Sequence, residues 1–406
     1  MTGLRRRLLV LLMAVVGFHG IAVGGDSVPP RQIVKMRLAG HEGEIRKLGN
    51  GNCQWLEPCD RPQERLLQEP SYRSNRPIYY AARYGDGKDP VFSFVLDESR
   101  GPGKGYDTLY VDANNDNRID AGKERFPIRV GGLSEAGPIR IRLEVASGGV
   151  TAPYYVSLSA FHYCDQKFPI PGIHITLRDS SYYVGEAVFG GKVRKIALAD
   201  LNANGLFNDV EQGPFQGDRF YVARDEAGQF YESFPYGKFT RIDGQWYSIV
   251  ASPDGGRVEI AAAKPPLGKI EAAEQIVGAR LNSPTQAIDL DFEDGPDQAV
   301  AGTYRLHSVQ LVADSGWALP GSFPEGDPEV IVREGRTVRL AAGLPLKVEP
   351  QFVADDDRTL RISLRITGSG GETYRWSPRR GSSAKAGFEI FDASGKRIAA
   401  GGFEYG

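Results

Sequence analysis

The sequence has little of what hydrolytic enzymes and nucleic-acid-binding proteins usually need. Only four histidines follow the N-terminal apolar segment, and the H-E-x-x-H, G-x-S-x-G, P-loop and Rossmann glycine patterns are all missing. The chain has no excess of positive charge, since it contains 49 Lys and Arg residues and 51 Asp and Glu residues. The composition therefore indicates neither a recognisable catalytic constellation nor a nucleic-acid partner.

Cysteine is also scarce, with three residues in a chain of 406. Cys53 and Cys59 lie six positions apart in a turn-rich stretch and could close a small disulfide in an oxidising compartment. With His41 they could instead form a metal site, although the paired C-x-x-C spacing of a zinc site is absent. His162 and His174, on neighbouring predicted strands, are a second candidate metal pair.

Long amphipathic helical patterns are absent after residue 24, and short runs rich in β-branched and aromatic residues alternate with turn formers. We therefore predict an all-β protein built from two or more β-sandwich-like domains. Paired prolines and a change of composition near residue 265 separate a β-rich region, residues 25–265, from residues 266–406. Turn signals recur about every ten residues in the second region, which predicts a C-terminal immunoglobulin-like β-sandwich.

Residues 1–24 have the pattern of a secretory signal peptide. A basic start at residues 5–7 is followed by an apolar run from Leu8 to Val16, and Ala22 and Gly24 are small residues at cleavage-site spacing. The alternative is a membrane anchor, but the apolar run is short. We expect an exported protein, whether secreted, periplasmic or at the cell surface, with no membrane span after cleavage. Removal of three arginines takes the formal net charge from −2 to −5.

The stretch "DLNANGLFNDVE", residues 200–211, has oxygen-bearing side chains at alternate positions. Calcium prefers six to eight oxygen ligands, and this spacing lets a chain fold around the ion. Gly205 permits the sharp turn, and Phe207 is the apolar residue that points away from the ion. The stretch matches D-x-[DN]-x-[DN]-G-x5-E in full. Its predicted calcium ligands are Asp200, Asn202, Asn204, the carbonyl of Leu206, and Glu211.

An earlier stretch, "DANNDNRIDAGKE" at residues 112–124, follows the same pattern more loosely. Asn117 replaces the glycine, and Asn is the non-glycine residue best suited to a left-handed turn. Ile119 is the apolar residue at the eighth position and is expected to point away from the ion. Lys123 occupies the twelfth position and cannot bind calcium, so either Glu124 substitutes for it or Asp120 completes the ligand set. The predicted ligands are Asp112, Asn114, Asp116, the carbonyl of Arg118, Asp120 and Glu124.

Both stretches resemble the calcium loops of the EF-hand and dockerin superfamily, over about 13 residues each. The flanking sequences depart from that family, because "DTLYVD" and "RKIALAD" are strand-like and no helix pattern precedes either loop. The whole chain also resembles a type of exported bacterial protein with "YVDxNxD" and "DLNxNG" blocks, which implies no known activity. We expect a static, stabilising ion rather than a sensor that opens a helix pair.

Two functions fit these observations. The first is an exported, calcium-binding, non-enzymatic protein that binds a surface or matrix, with a carbohydrate or another cell-surface component as its partner. The second is an exported hydrolase that acts on polysaccharide and is stabilised by calcium. Asp289, Asp291 and Glu293, on one face of a predicted strand, are candidate carboxylates for the second function. One member of each tyrosine pair, 154–155 and 182–183, is expected in the core, and the other is free to stack on a sugar.

Overall fold

The structure is a computed structural model of the chain. It describes residues 31–39, 53–64, 66–131, 138–163, 172–210, 217–224, 231–312, 318–354, 360–374, 387–391 and 393–402. These residues form β-strands in several sheets and no α-helix, which confirms the all-β prediction. Over the same ranges, no helix is long and apolar enough to cross a membrane. The predicted signal peptide, residues 1–24, lies outside the described residues.

Eighteen strands precede residue 265 in the described ranges. They are β1 (Gln32–Lys35), β2 (Arg37–Ala39), β3 (Cys53–Leu56), β4 (Ile78–Arg83), β5 (Val91–Asp97), β6 (Thr108–Val111), β7 (Arg125–Pro127), β8 (Val130–Gly131), β9 (Ile139–Ser147), β10 (Val150–Tyr163), β11 (Gly172–Asp179), β12 (Tyr182–Phe189), β13 (Lys192–Ala199), β14 (Arg219–Ala223), β15 (Tyr231–Pro235), β16 (Phe239–Ile242), β17 (Gln245–Ala251) and β18 (Arg257–Ala262).

The described residues after 265 contribute thirteen more strands. They are β19 (Leu267–Glu271), β20 (Ile276–Ser283), β21 (Gln286–Asp291), β22 (Asp297–Val300), β23 (Gly302–Val312), β24 (Ala318–Ser322), β25 (Glu329–Val332), β26 (Thr337–Arg339), β27 (Lys347–Ala354), β28 (Leu360–Thr367), β29 (Thr373–Tyr374), β30 (Gly387–Phe391) and β31 (Arg397–Gly402).

The first region consists of four sheets that share one apolar core. Their strand orders are β1-β18-β17-β16, β2-β12-β13-β14-β15, β4-β5-β6-β7, and β3-β11-β10-β8 with β9 paired to β10. Side chains alternate across each strand, so every second residue of β9 enters the core, as Ile141, Leu143 and Val145 do. The core draws its buried residues from Val34 to Ile260.

The second region has a separate core, formed by buried residues from Ile270 to Tyr374. A three-stranded sheet, β22-β19-β26, and a larger sheet, β21-β20-β23-β24-β29-β28-β27 with β25 paired to β23, provide these residues. Strands β30 and β31 pair only with each other in the described part of the chain. The two regions meet where Arg219 on β14 forms an ion pair with Asp289 on β21, at 2.7 Å.

The two predicted calcium loops occupy equivalent places in their sheets. Loop 1, residues 112–124, connects β6 to its antiparallel neighbour β7, and loop 2, which begins at residue 200, connects β13 to its antiparallel neighbour β14. The residues just before each loop are buried, so the strand anchors the start of the loop in the core. Both loops are therefore mounted on strands rather than between helices.

Candidate metal sites

Loop 1 begins with an aspartate that organises the backbone after it. Asp112 is 1% exposed, and its own N–H donates to the carbonyl of Ser93 on β5 at 3.0 Å. Its carboxylate accepts hydrogen bonds from the N–H groups of Asp116 at 3.1 Å and Asn117 at 2.9 Å. The first residue of the loop therefore holds the fifth and sixth in a tight turn.

The next oxygen-bearing side chains of loop 1 each bond to the backbone two residues later. Asn114 Oδ1 accepts from the N–H of Asp116 at 3.2 Å, and Asp116 Oδ1 accepts from the N–H of Arg118 at 2.9 Å. Such bonds are typical of Asn and Asp in turns, and they curl the chain around the side-chain oxygens.

Glu124 closes loop 1. Its Oε1 accepts from the N–H of Ala113 at 2.9 Å, its Oε2 accepts from the N–H of Asp120 at 2.8 Å, and its side chain is buried. Asp120 is turned towards Gly122, whose N–H it accepts at 2.8 Å, and towards the exposed ammonium of Lys123 at 3.5 Å. The carboxylate that reaches back across the loop is therefore that of Glu124.

Loop 2 repeats this hydrogen-bond pattern around Asp200, which is completely buried. Its Oδ1 accepts from the N–H of Asn204 at 3.3 Å, and its Oδ2 accepts from the N–H of Gly205 at 2.7 Å and from the hydroxyl of Tyr154 at 2.8 Å. Asn204 Oδ1 in turn accepts from the N–H of Leu206 at 2.8 Å. These bonds join the first residue to the fifth and sixth and the fifth residue to the seventh, as in loop 1.

Backbone dihedral angles show the same correspondence. The fourth and sixth residues of each loop are left-handed, with φ of 57° at Asn115 and 63° at Asn117 in loop 1, and 56° at Ala203 and 81° at Gly205 in loop 2. Positive φ is uncommon outside glycine, so a pair of such residues at matching positions is a specific similarity. The two loops share one backbone conformation over their first six residues.

The eighth residue of each loop is an apolar plug, as predicted. Ile119 and Phe207 are buried, at 1% and 2% exposure. The N–H of Ile119 donates to the carbonyl of Gln68 at 3.0 Å, and that of Phe207 donates to the carbonyl of Pro253 at 2.9 Å. The eighth residue of each loop thus forms a backbone hydrogen bond to a segment outside the loop.

The later part of loop 2 differs from loop 1. Two of its side-chain amides donate to Asp209 Oδ2, Asn202 Nδ2 at 3.2 Å and Asn204 Nδ2 at 2.5 Å. Asp218 Oδ2 accepts from the N–H of Asp209 at 2.6 Å. Glu211, the predicted twelfth ligand, lies outside the described residues.

Burial without a cationic partner shapes the electrostatics of both loops. In the described part of the chain, no Lys or Arg side chain pairs with Asp112, Glu124 or Asp200. Burial raises the pKa of Asp112 to about 6, against the opposing effect of the N–H groups it accepts. Burial likewise raises the pKa of Asp200 to about 7, although Gly205 and Tyr154 donate to it. Both carboxylates would be more stable with a cation nearby.

The donor set fits calcium by chemistry and by spacing. Carboxylate, amide and carbonyl oxygens are the ligands that this hard cation takes, and both loops present them at the first, third, fifth and seventh positions. Across the described ranges, no group of three or more His, Cys, Asp or Glu side chains is gathered as a metal site. The carboxylates instead accept backbone N–H groups, and each predicted ligand set also includes Asn side-chain oxygens and a backbone carbonyl.

The other candidate metal pair, His162 and His174, is not assembled. Phe161 pairs with His174 and His162 with Ile173 in the β10–β11 register, so the two histidines project from opposite faces of the sheet. Cys53 and Cys59 are not bonded to each other. The third residue of that alternative site, His41, lies outside the described residues.

The burial of the two tyrosine pairs was predicted only in part. Tyr154 is buried and Tyr155 is half-buried beneath the guanidinium of Arg140, 4.1 Å from the ring centroid. Tyr182 and Tyr183 are both buried, because a small second cluster around Tyr182 covers the other face of the sheet. The prediction that one residue of each pair is available to a sugar is therefore wrong for 182–183.

Two contributors to the loops were not predicted from the sequence. The Tyr154 hydroxyl reaches Asp200 from another sheet, and the turn at residues 85–89 contacts both loops. A polar hydroxyl in a buried strand and the repeated glycine and aspartate of "GDGKD" were the available signals. No family model, curated protein or solved structure matches this chain. Its function has to be inferred from the geometry of the loops.

Proposed function

We propose that this chain is an exported, non-enzymatic calcium-binding protein in which each loop holds one structural calcium ion. The observation that carries the proposal is the shared loop conformation, in which the first aspartate binds the fifth and sixth N–H groups and the fourth and sixth residues are left-handed. Loop 1 would use Asp112, Asn114, Asp116, the carbonyl of Arg118, Asp120 and Glu124. Loop 2 would use Asp200, Asn202, Asn204, the carbonyl of Leu206, and Glu211.

Calcium would supply positive charge to carboxylates that the fold has buried without cations. The residues of each loop hold its curvature, and the flanking strands limit how far it can move. Because strands β6, β7, β13 and β14 flank the loops in the described residues, we propose a role in stabilisation rather than the opening of a helix pair in signalling. Affinity in the range of about 10⁻⁴–10⁻³ M would suit extracellular calcium.

Thermal unfolding in calcium and in EGTA tests this function. We expect calcium to raise the melting temperature, while the far-UV circular dichroism spectrum stays strand-dominated and ANS binding does not rise. An unchanged melting temperature would show that both loops are ordinary turns. A calcium-induced gain in helix or in ANS binding would indicate a sensor instead.

The binding partner we propose, a carbohydrate or another cell-surface component, has a candidate position between the two regions. A cleft of about 400 Å³ lies beside β15, β17 and β21, and its walls include Glu232, Arg241, Trp246, Gln286 and Asp291. Aromatic and hydrogen-bonding side chains of this kind suit a polar ligand. The immunoglobulin-like character of residues 266–406 belongs to the same proposal, and two sheets around one core support it.

The alternative, a calcium-stabilised hydrolase acting on polysaccharide, finds less support. Burial alone would raise the pKa of Asp289, but Arg280 and Arg219 more than offset this and keep the pKa below its ordinary value. The carboxylate is thus held ionised and is poorly suited to act as a general acid. Screening the purified protein for cleavage of glycans separates the two functions, and we expect no cleavage.

A further inference from the structure

The turn at residues 85–89, which we call the bridging turn, connects β4 to β5 and lies between the two loops. Its sequence is Gly-Asp-Gly-Lys-Asp. One end contacts loop 1 and the other end contacts loop 2, and in each loop the contacts fall on or beside the left-handed residues. The turn is therefore placed to influence the part of each loop that has the most demanding backbone geometry.

Asp89 supports loop 1. Its Oδ2 accepts from Asn117 Nδ2 at 2.8 Å, and its carbonyl accepts from Asn115 Nδ2. These are the sixth and fourth residues of the loop. The carboxylate is itself held at the start of β5, where its Oδ1 accepts from the N–H of Val91 at 3.3 Å. Loop 1 has no glycine at its sixth position, and Asp89 provides the contact that holds Asn117 left-handed.

Gly85 supports loop 2 at the equivalent place. Its N–H donates to the carbonyl of Asn204 at 2.6 Å, next to Gly205. A Cβ added to Gly205 would lie 3.1 Å from the Gly85 nitrogen and 2.9 Å from a methyl carbon of Val145. The sixth residue of loop 2 thus packs directly on the bridging turn, with no room for a side chain between them.

The end of β9 also contacts both loops. The N–H of Glu144 donates to the carbonyl of Ala113 in loop 1 at 2.8 Å, and Ser147 Oγ donates to the carbonyl of Gly205 in loop 2 at 2.7 Å. The N–H of Asp86 donates to the carbonyl of Ala146 at 3.1 Å, which ties the bridging turn to this strand end. The bridging turn and the end of β9 together therefore hold both loops.

We propose that the bridging turn couples the two loops, so that calcium in either loop raises the calcium affinity of the other. The inference rests on the proposed function, because it requires both loops to bind. Filling one loop fixes its left-handed residues and, through them, the bridging turn. The second loop then binds against a turn that is already ordered, so part of its ordering cost has been met. Asp89 and Gly85 are positioning residues in this scheme, since neither belongs to a predicted ligand set.

Calcium titration of the full chain, followed by calorimetry or by competition with a chromophoric chelator, tests the coupling. We expect two ions per wild-type chain and a Hill coefficient above 1. Asp112→Ala should leave one ion bound at loop 2, with an affinity about 5-fold or more below that of the coupled wild type, the lower end of ordinary coupling. Asp200→Ala should weaken loop 1 in the same way.

The decisive variant is Asp89→Ala, with Lys88→Ala as its matched control in the same turn. Lys88 is exposed and, in the described part of the chain, donates to neither loop. We expect Asp89→Ala to weaken loop 1 and reduce the Hill coefficient to 1, while Lys88→Ala titrates like the wild type. If circular dichroism shows that Asp89→Ala is unfolded, Asp89→Asn takes its place, because it keeps the size of the side chain and removes its charge.

The outcomes are distinguishable. Two ions bound with a Hill coefficient of 1 in the wild type, and with each single-loop variant leaving the other affinity unchanged, would overturn the coupling and leave the proposed function intact. Cooperative binding that persists in Asp89→Ala would also overturn it, since the bridging turn would then not be the connection. No bound calcium in the wild type would overturn the proposed function itself, and the coupling with it.

Discussion

Loop 1 and loop 2 reach the same backbone conformation through different residues. Loop 2 uses Gly205, which adopts a positive φ without strain and leaves space for the bridging turn. Loop 1 uses Asn117, whose side chain is tied to Asp89. Loop 2 is sunk into the core, where Asp200 is fully buried, while loop 1 exposes Asn114 and Asp116 to solvent.

This difference separates two requirements of a calcium loop, geometry and charge. Loop 1 has more carboxylates in its predicted ligand set, but it lacks the glycine and the twelfth-position glutamate. Loop 2 has the full pattern, and its third and fifth residues are less exposed than those of loop 1. We expect geometry and burial to matter more than the number of charges, so loop 2 should contribute more of the calcium-dependent stability.

The largest expected effect comes from removing the first aspartate of each loop. In saturating calcium, Asp200→Ala should lower the melting temperature by about 10 °C, because breaking a buried charge network costs about 3–5 kcal/mol and each kcal/mol is worth about 2–4 °C in a domain of this size. Asp112→Ala should lower it by about half as much. Differential scanning calorimetry measures both, and a larger loss in Asp112→Ala would reverse the comparison.

The next effect is a pH dependence that should be larger in total, and extend to higher pH, for loop 2 than for loop 1. Asp112 and Asp200 have pKa values raised from 3.8 to about 6 and about 7 in the folded chain. Between the ordinary pKa of 3.8 and these folded values, the calcium-free folded chain binds more protons than the unfolded chain. The free energy of unfolding therefore falls as pH rises from about 4 to about 7. The contribution is fully present below about pH 4 and is lost above the folded pKa.

Urea unfolding of the calcium-free protein across this pH range measures the effect, with Asp200→Asn as the matched variant. Asn at residue 200 cannot titrate, so this variant should lose less stability than the wild type as pH rises. In saturating calcium the wild-type slope should reverse, because the ion binds the deprotonated carboxylates. Parallel slopes for wild type and Asp200→Asn without calcium would show that Asp200 does not titrate in this range.

A smaller effect concerns how loop 1 is closed. Glu124→Gln should weaken calcium binding at loop 1 by about tenfold, which corresponds to about 1.4 kcal/mol, because it removes a carboxylate charge but keeps the shape of the side chain. Lys123→Gln, one residue earlier, should change the affinity little. Calcium titration in the Asp200→Ala background isolates loop 1. Equal losses of calcium affinity in Glu124→Gln and Lys123→Gln would mean that Glu124 is not the carboxylate that closes loop 1.

The smallest expected effect comes from giving loop 1 the glycine of loop 2. Asn117→Gly removes the cost of a positive φ but also removes the hydrogen bond to Asp89, and each is worth about 1 kcal/mol, so stability should change by less than about 1 kcal/mol. Asn117→Ala keeps the φ cost and loses the hydrogen bond, and it should destabilise the protein more. Chemical denaturation compares the two, and equal stabilities would show that Asn117 is not strained.

Local sequence patterns predicted much of this architecture. Short runs rich in β-branched and aromatic residues predicted strands, and the structure has them. The spacing of Asp and Asn predicted loop curvature, because these side chains bond to nearby backbone N–H groups whatever the rest of the chain does. The apolar eighth residues, Ile119 and Phe207, were also predicted to point away from the loops.

Long-range contacts could not be predicted in the same way. Tyr154 is 46 positions from Asp200 along the chain, and only the packing of two sheets brings its hydroxyl to that carboxylate. The position of Asp89 beside Asn117 depends equally on how β5 and β6 align. The burial of both Tyr182 and Tyr183 was missed because alternation assumes that one face of a sheet is open, and here both faces are covered.

Anomalous diffraction from crystals grown in millimolar calcium locates any bound ions without relying on stability. We expect one anomalous peak among the side chains of Asp112, Asn114 and Asp116, and a second among those of Asp200, Asn202 and Asn204. A well-phased map with no peak at either loop would contradict this expectation and leave both loops as hydrogen-bonded turns.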